Sequence, residues 1–235
     1  MKLLQLQNYD ELSRIGAEII IDEIKHNMNA NICLATGGSP KKLYEQMVQQ
    51  INEERIDISN VTFTKLDEWY DVDPKESFTC ETFIQENILD KLYMQPKQFI
   101  SFVSNALDID LEVQRIQKLI DENPIDIMIL GLGMNGHLGL NEPNDELTLP
   151  CHYAALDTKT KTHDMADGRN LEGGLTIGMK GIFDAKKILF LVSGDKKEDA
   201  YHGFMKKTIS TNLPASFLWL HKNCITLIDK EQFTN

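Results

Sequence analysis

Residues 129–143, "ILGLGMNGHLGLNEP", hold the densest set of side chains able to do chemistry in this chain. His137 carries an imidazole that exchanges a proton near neutrality, and Glu142, five residues on, can orient that ring. Gly131, Gly133 and Gly136 spell G-x-G-x-x-G behind an apolar run, as a dinucleotide-binding turn does. Such a turn needs a helix opening at its third glycine, and Gly139 and Pro143 spoil helix continuation. No strand ending in an acid follows about 20 positions later either. The glycines, Gly133 included, are therefore read as letting backbone approach a small ligand, since they lack the Cβ that would block it.

Three further stretches could serve the same ligand. "TGGSPKKLYEQM" joins a strand to a helix, with Ser39 expected as N-cap and Pro40 as the first helical residue. The N–H groups of Gly37, Gly38 and Ser39 would then form a phosphate seat at the positive end of the helix. A tight turn with an ordinary cap explains the same residues. Lys197 in "SGDKKEDA" and Arg169 could supply countercharge, solvated side chains being the ordinary alternative. "KLDEWYDVD" puts Asp67 and Glu68 at the end of an apolar strand. Carboxylates there commonly cap helices or face solvent; beside a histidine, one becomes a candidate general base. Zinc is a weak rival, because no other Cys or His is near His137 in sequence. A serine hydrolase would need a G-x-S-x-G elbow, which is missing.

The elements that must position these residues alternate between strand and helix. "KLLQLQ", "NICLA", "VTFTKL", "QFISFV", "IDIMILGLG", "KKILFLVSG", "SFLWL" and "CITLID" read as strands. Helical periods follow Asn8 or Asp10, run from Lys41 to about Ile51, and recur in "CETFIQENILDKL", "LEVQRIQKLI" and from about Lys196 to Met205. Residues 141–174 read as polar and irregular. This alternation predicts an α/β fold: a doubly wound, mostly parallel open sheet with helices on both faces, Rossmann-like and a single domain over residues 1–235. Ligands of such sheets bind beyond the carboxyl ends of the strands. "TGGSP", "DEWYD", "GLGMNGH" and "SGDKK" each follow a strand, so all four are expected on one rim.

The totals narrow the partners. Among 235 residues, 42% hydrophobic and 26% charged, the net charge of −12 argues against nucleic acid, whose phosphates select basic faces. No segment approaches the ~20 apolar residues of a membrane span, and the N-terminus lacks a signal-peptide pattern, so no membrane and a cytoplasmic location are expected. Four scattered cysteines without C-x-x-C read as buried free thiols.

"LATGGSP", "LDEW", "GLGMNGHLGLNEP" and "LVSGDKK", in this order, resemble the glucosamine-6-phosphate deaminase/isomerase family over nearly the whole chain. "KLDEW", "FTCETF", "GHLGLNEP" and "LPASFLWLH" resemble its galactosamine-6-phosphate branch most. The resemblance implies conversion of a 2-amino-2-deoxyhexose 6-phosphate, galactosamine 6-phosphate by preference, to a 2-ketose phosphate and ammonia, with no cofactor or metal. It gives His137 the ring-opening proton transfer, held by Glu142 and by the residue at 135, and Asp67 the transfer from C2 to C1. It puts the phosphate on the loop of Gly38 and Ser39 with Lys197, and Arg169 as a second phosphate contact. Glucosamine 6-phosphate is the alternative substrate, and a 6-phosphogluconolactonase-type hydrolase or a sugar-phosphate sensor are alternatives of other classes. Relatives range from monomers to hexamers, which leaves a homo-oligomer open. Asn135 departs from the Asp usual in glucosamine-type enzymes. It supplies no charge to an imidazolium, which leads us to expect a lower pKa for His137 than beside Asp.

Overall fold

The computed structural model describes residues 1–162 and 168–233. Asn8 caps the first helix, α1 (Tyr9–His26), by accepting from the Glu11 N–H at 3.0 Å, and Leu12, Ile20, Ile21 and Ile24 form its buried stripe. It follows an edge strand, β1 (Lys2–Leu6), as expected. β2 (Asn31–Leu34), β3 (Thr62–Lys65), β5 (Gln98–Ile100), β6 (Ile127–Gly131), β9 (Lys187–Val192) and β10 (Cys224–Asp229) complete a seven-stranded sheet of order β1-β10-β9-β6-β2-β3-β5. Its paired strands are all parallel. Successive residues of β6, from Ile127 to Leu130, are fully buried, so both faces of the sheet centre are covered, as the doubly wound reading requires.

From β2 the chain winds outward through β3 to β5, then returns to the other side of β2 at β6 and continues to β9 and β10. The order therefore reverses between β2 and β6, where the loops after the two strands part and leave a crevice. "TGGSP" follows β2 and "GLGMNGH" follows β6, so two of the expected stretches flank that crevice. The others, after β3 and β9, lie one strand out on either side.

Two expectations need correction. The irregular region holds β7 (His152–Ala155) and β8 (Gly173–Thr176), which join β4 (Asp67–Trp69) in a small antiparallel sheet of order β4-β8-β7. Residues 163–167 of that region lie outside the described residues. This sheet covers its own apolar cluster of Trp69, Leu140, Ala154, Leu156 and Leu171. "SFLWL" is not a strand: Pro214–Leu220 forms a 3₁₀ helix. Its Trp219 stacks on Phe204 and donates to the Phe204 carbonyl at 2.8 Å, so the aromatic residues that suggested a strand anchor a turn against α6 (Glu198–Met205).

Candidate active site

At the crevice a cavity of about 430 Å3 is bounded by all four strand-end loops. One end is cationic. The helix after β2, α2 (Gly38–Glu54), begins at Gly38 with Gly37 as N-cap, and Ser39 lies inside its first turn rather than capping it. The Ser39 hydroxyl is used elsewhere: it donates to the Ser193 carbonyl at 2.9 Å and accepts from Lys197 Nζ at 2.9 Å. Lys197 Nζ also donates to the Ser193 carbonyl, at 2.8 Å. These bonds fasten the loop after β2 to the loop after β9. Burial pushes the Lys197 ammonium down to about 8, and no carboxylate among the described residues pairs with it. A lysine ready for charge, beside the N-terminus of a long helix, suits a phosphate.

At the other end, β4 begins with Asp67, and burial pushes its carboxyl up to about 6. The neighbouring Glu68 charge adds to the rise, while His137, Lys65 and a hydrogen bond from Cys80 moderate it. Glu68 proves structural. It accepts from the N–H groups of Cys80 and Glu81, at 2.9 and 2.8 Å, at the start of α3 (Cys80–Asn87), and from buried Lys65 at 2.6 Å. An anion on a helix N-terminus, neutralised from behind by a lysine, locks β4 to α3 and so fixes Asp67. Of the two adjacent acids, one is spent on the fold and the other faces the cavity.

The loop after β6 carries the histidine. Gly136 sits at φ +85°, outside helical geometry, which confirms that no dinucleotide helix opens there. The imidazole lies against Gly133 so closely that a Cβ there would fall 2.4 Å from His137 Cδ2. Asn141 donates to the carbonyls of Leu138 and Ile177, at 2.8 and 2.9 Å, and so pins the segment that delivers Glu142. Glu142 Oε2 comes 3.4 Å from His137 Nδ1, as the spacing suggested. Burial pushes the Glu142 carboxyl up, but hydrogen bonds and charge from His137, Thr160 and Asn135 outweigh it and hold the group below its ordinary value.

A match to the model of "Glucosamine-6-phosphate isomerases/6-phosphogluconolactonase" runs from residue 7 to residue 227. The chain belongs to this glucosamine-6-phosphate isomerase/6-phosphogluconolactonase family. Within it, the chain is 43% identical over 97% of its length to a candidate deaminase of Escherichia coli (strain K12), AgaI, of which it covers 91%. It is 32% identical to glucosamine-6-phosphate deaminase 1 of Bacillus subtilis (strain 168), with 98% of each chain covered. The solved structure of a monomeric glucosamine-6-phosphate deaminase superposes with a TM-score of 0.93 at 32% identity, over 99% of this chain and 98% of that one. The doubly wound fold is thus the family's. Among the described residues, no helix is long and apolar enough to cross a membrane.

Two of the expected contacts differ in this family member. Asn135 does not touch the imidazole; its side-chain oxygen accepts from the His137 backbone N–H at 3.2 Å and its amide donates to Glu142 Oε2 at 2.8 Å. The side chain of residue 135 therefore acts on the imidazole through Glu142. Asn135→Asp would replace that donor by a second carboxylate, and two adjacent acids resist joint ionisation. The acid limb of the kcat/KM–pH profile should then rise by about one unit; an unmoved limb would show that Glu142 does not transmit the change. Arg169 is not brought to the cavity wall. Its guanidinium lies 4.3 Å over the ring of Phe78, beside the apolar cluster under the small sheet. Thr160 and Cys80 also reach the cavity, though neither is among the candidate site residues; Thr160 lies in the region read as irregular and Cys80 in "FTCETF".

Proposed function

We propose that the chain converts galactosamine 6-phosphate to tagatose 6-phosphate and ammonia. The observation that carries this reading is the division of one cavity between a cationic seat at Ser39 and Lys197 and a proton-transfer end at Asp67 and His137. An open-chain hexose phosphate can span such a cavity with its phosphate anchored far from the reacting carbons. His137 takes the proton of the O1 hydroxyl and returns one to O5 as the ring C1–O5 bond breaks. Asp67, with a carboxyl near 6, is ionised at neutral pH yet basic enough to remove the C2 proton. It returns that proton to C1. The resulting C2 imine adds water and expels ammonia, so substrate plus water balances ketose phosphate plus ammonia.

Preference for the galactosamine epimer is supported by "KLDEW", "FTCETF", "GHLGLNEP" and "LPASFLWLH", the motifs that resemble that branch. The glucosamine-6-phosphate deaminases at 32% identity favour a second reading, glucosamine 6-phosphate to fructose 6-phosphate. An ammonia-release assay on both sugars separates them. We expect kcat/KM at least about tenfold higher for galactosamine 6-phosphate, the difference that one hydrogen-bonded hydroxyl makes. The reverse ratio selects the second reading, and ammonia from neither sugar rejects both.

A further inference from the structure

Resting on the reading of His137 as the ring-opening group, we propose that Thr160 is a positioning residue that selects the tautomer of His137, placing its proton on Nδ1 and leaving Nε2 as the base toward the sugar. Thr160 opens a 3₁₀ turn, Thr160–Thr162, between β7 and β8, and only 2% of it is exposed. The turn is held locally. Asp157 accepts from the Lys159 N–H at 2.8 Å through its side chain and from the Lys161 N–H at 3.0 Å through its carbonyl. Thr160 is thereby set on the cavity wall with Oγ1 3.1 Å from His137 Nδ1.

An imidazole nitrogen beside a hydroxyl has two arrangements, because the hydroxyl can donate or accept. Glu142 decides between them. Its carboxylate only accepts; Oε2 faces Nδ1 at 3.4 Å, and Oε1 is buried with no hydrogen-bond partner among the described residues. With Thr160 donating to Nδ1, an unprotonated nitrogen would face the carboxylate at 3.4 Å, acceptor against acceptor. With the proton on Nδ1, it points at two acceptors, Thr160 Oγ1 at 3.1 Å and Glu142 Oε2 at 3.4 Å, and the Thr160 O–H is free to turn toward the carboxylate, whose charge it helps to hold. Nε2 then carries the free lone pair, the form needed to accept the O1 proton. Asn135 already donates to Oε2, so it cannot make this choice. Glu142 supplies the charge, and Thr160 converts that charge into a tautomer.

The test uses the whole, unliganded protein labelled with 15N-histidine, at a pH where imidazole is neutral, with His137 assigned by its loss in His137→Gln. Two-bond 15N–1H correlations of the wild type should show Nδ1–H in at least tenfold excess. Thr160→Val, which keeps shape but removes the hydroxyl, should bring the two tautomers within about threefold and lower kcat about tenfold or more, with KM changed less than twofold. Thr160→Ser should restore both, and Thr160→Ala gives the same NMR readout without overpacking. Nε2–H dominance in the wild type, an unchanged tautomer ratio in Thr160→Val and Thr160→Ala, or failure of Ser to rescue would each overturn the assignment. The tautomer ratio is read without substrate. Loss of the amino-sugar reading would therefore appear as a wild type that releases no ammonia, whatever the NMR shows.

Discussion

Asp67→Asn is expected to abolish most activity and yet stabilise the protein above neutral pH. The carboxyl lies buried at the start of β4, beside Glu68, and its preference for the neutral form raises it to about 6 from the ordinary 3.8. Two pKa units correspond to about 3 kcal/mol, less whatever relaxation the site allows. Near pH 3 the folded and unfolded chains both carry the proton, and burial costs nothing on this account. Between 3.8 and about 6 the unfolded chain alone ionises, and stability falls as pH rises. Above about 6 the folded chain ionises too and the penalty is complete. Asparagine keeps the shape and never ionises. Urea unfolding at pH 8 should therefore show the variant more stable by about 1–3 kcal/mol, and the gain should vanish near pH 3.5. In the proposed reaction the same change removes the group that moves the C2 proton, which should cost about 10²–10⁴-fold in kcat. A variant stabilised equally at both pH values would show that the gain comes from packing. A variant with full activity would place the C2 base elsewhere.

Much of this arrangement is legible before any coordinates. Ile127 to Leu130 form an uninterrupted apolar run between turn residues, the pattern of a strand buried on both faces of a parallel sheet. Once β2 and β6 are recognised, the rule that ligands sit past their carboxyl ends puts Gly38, Asp67, His137 and Lys197 on one rim, and all four line the cavity. What escapes is set by contacts remote in sequence. β8 is written Gly-Gly-Leu-Thr, which reads as a turn. The glycines are there because a Cβ at Gly174 would fall 2.5 Å from the Glu68 carbonyl. Ser39 has the type and place of an N-cap, and only the approach of Ser193 and Lys197, more than 150 residues away, draws its hydroxyl off. Thr160 carries no local signal, since its partner is His137, 23 residues back across a different sheet. The histidine's spacing to Glu142 survives because both lie on one short loop.

Above about pH 8, kcat/KM for the amino-sugar phosphate is expected to fall while kcat holds. In the free protein Lys197 has no carboxylate partner among the described residues, and burial brings its ammonium down to about 8, so raising the pH strips charge from the phosphate end. A phosphate dianion seated against Nζ and the start of α2 supplies the missing countercharge and raises the group again. The limb therefore belongs to the free protein and should vanish at saturation. The same linkage requires proton uptake: near pH 8.5, inorganic phosphate should bind with net gain of up to one proton, measurable by calorimetry in buffers of different ionisation enthalpy. Lys197→Ala should lower kcat/KM about 10²–10³-fold, mostly through KM, as expected for loss of a charge-assisted contact in a half-enclosed site. Loss of charge at this position also releases Ser39 from its donor, so Ser39→Ala provides the control. It should weaken phosphate binding several-fold without moving the limb, because the titrating group is still present. A limb that persists in kcat, or one that survives in Lys197→Ala, would assign the titration to the proton-transfer end and detach Lys197 from the phosphate. The division of the cavity into an anchoring end and a reacting end predicts the opposite separation: the proton-transfer groups govern the acid side of the profile, and Lys197 governs the basic side through binding.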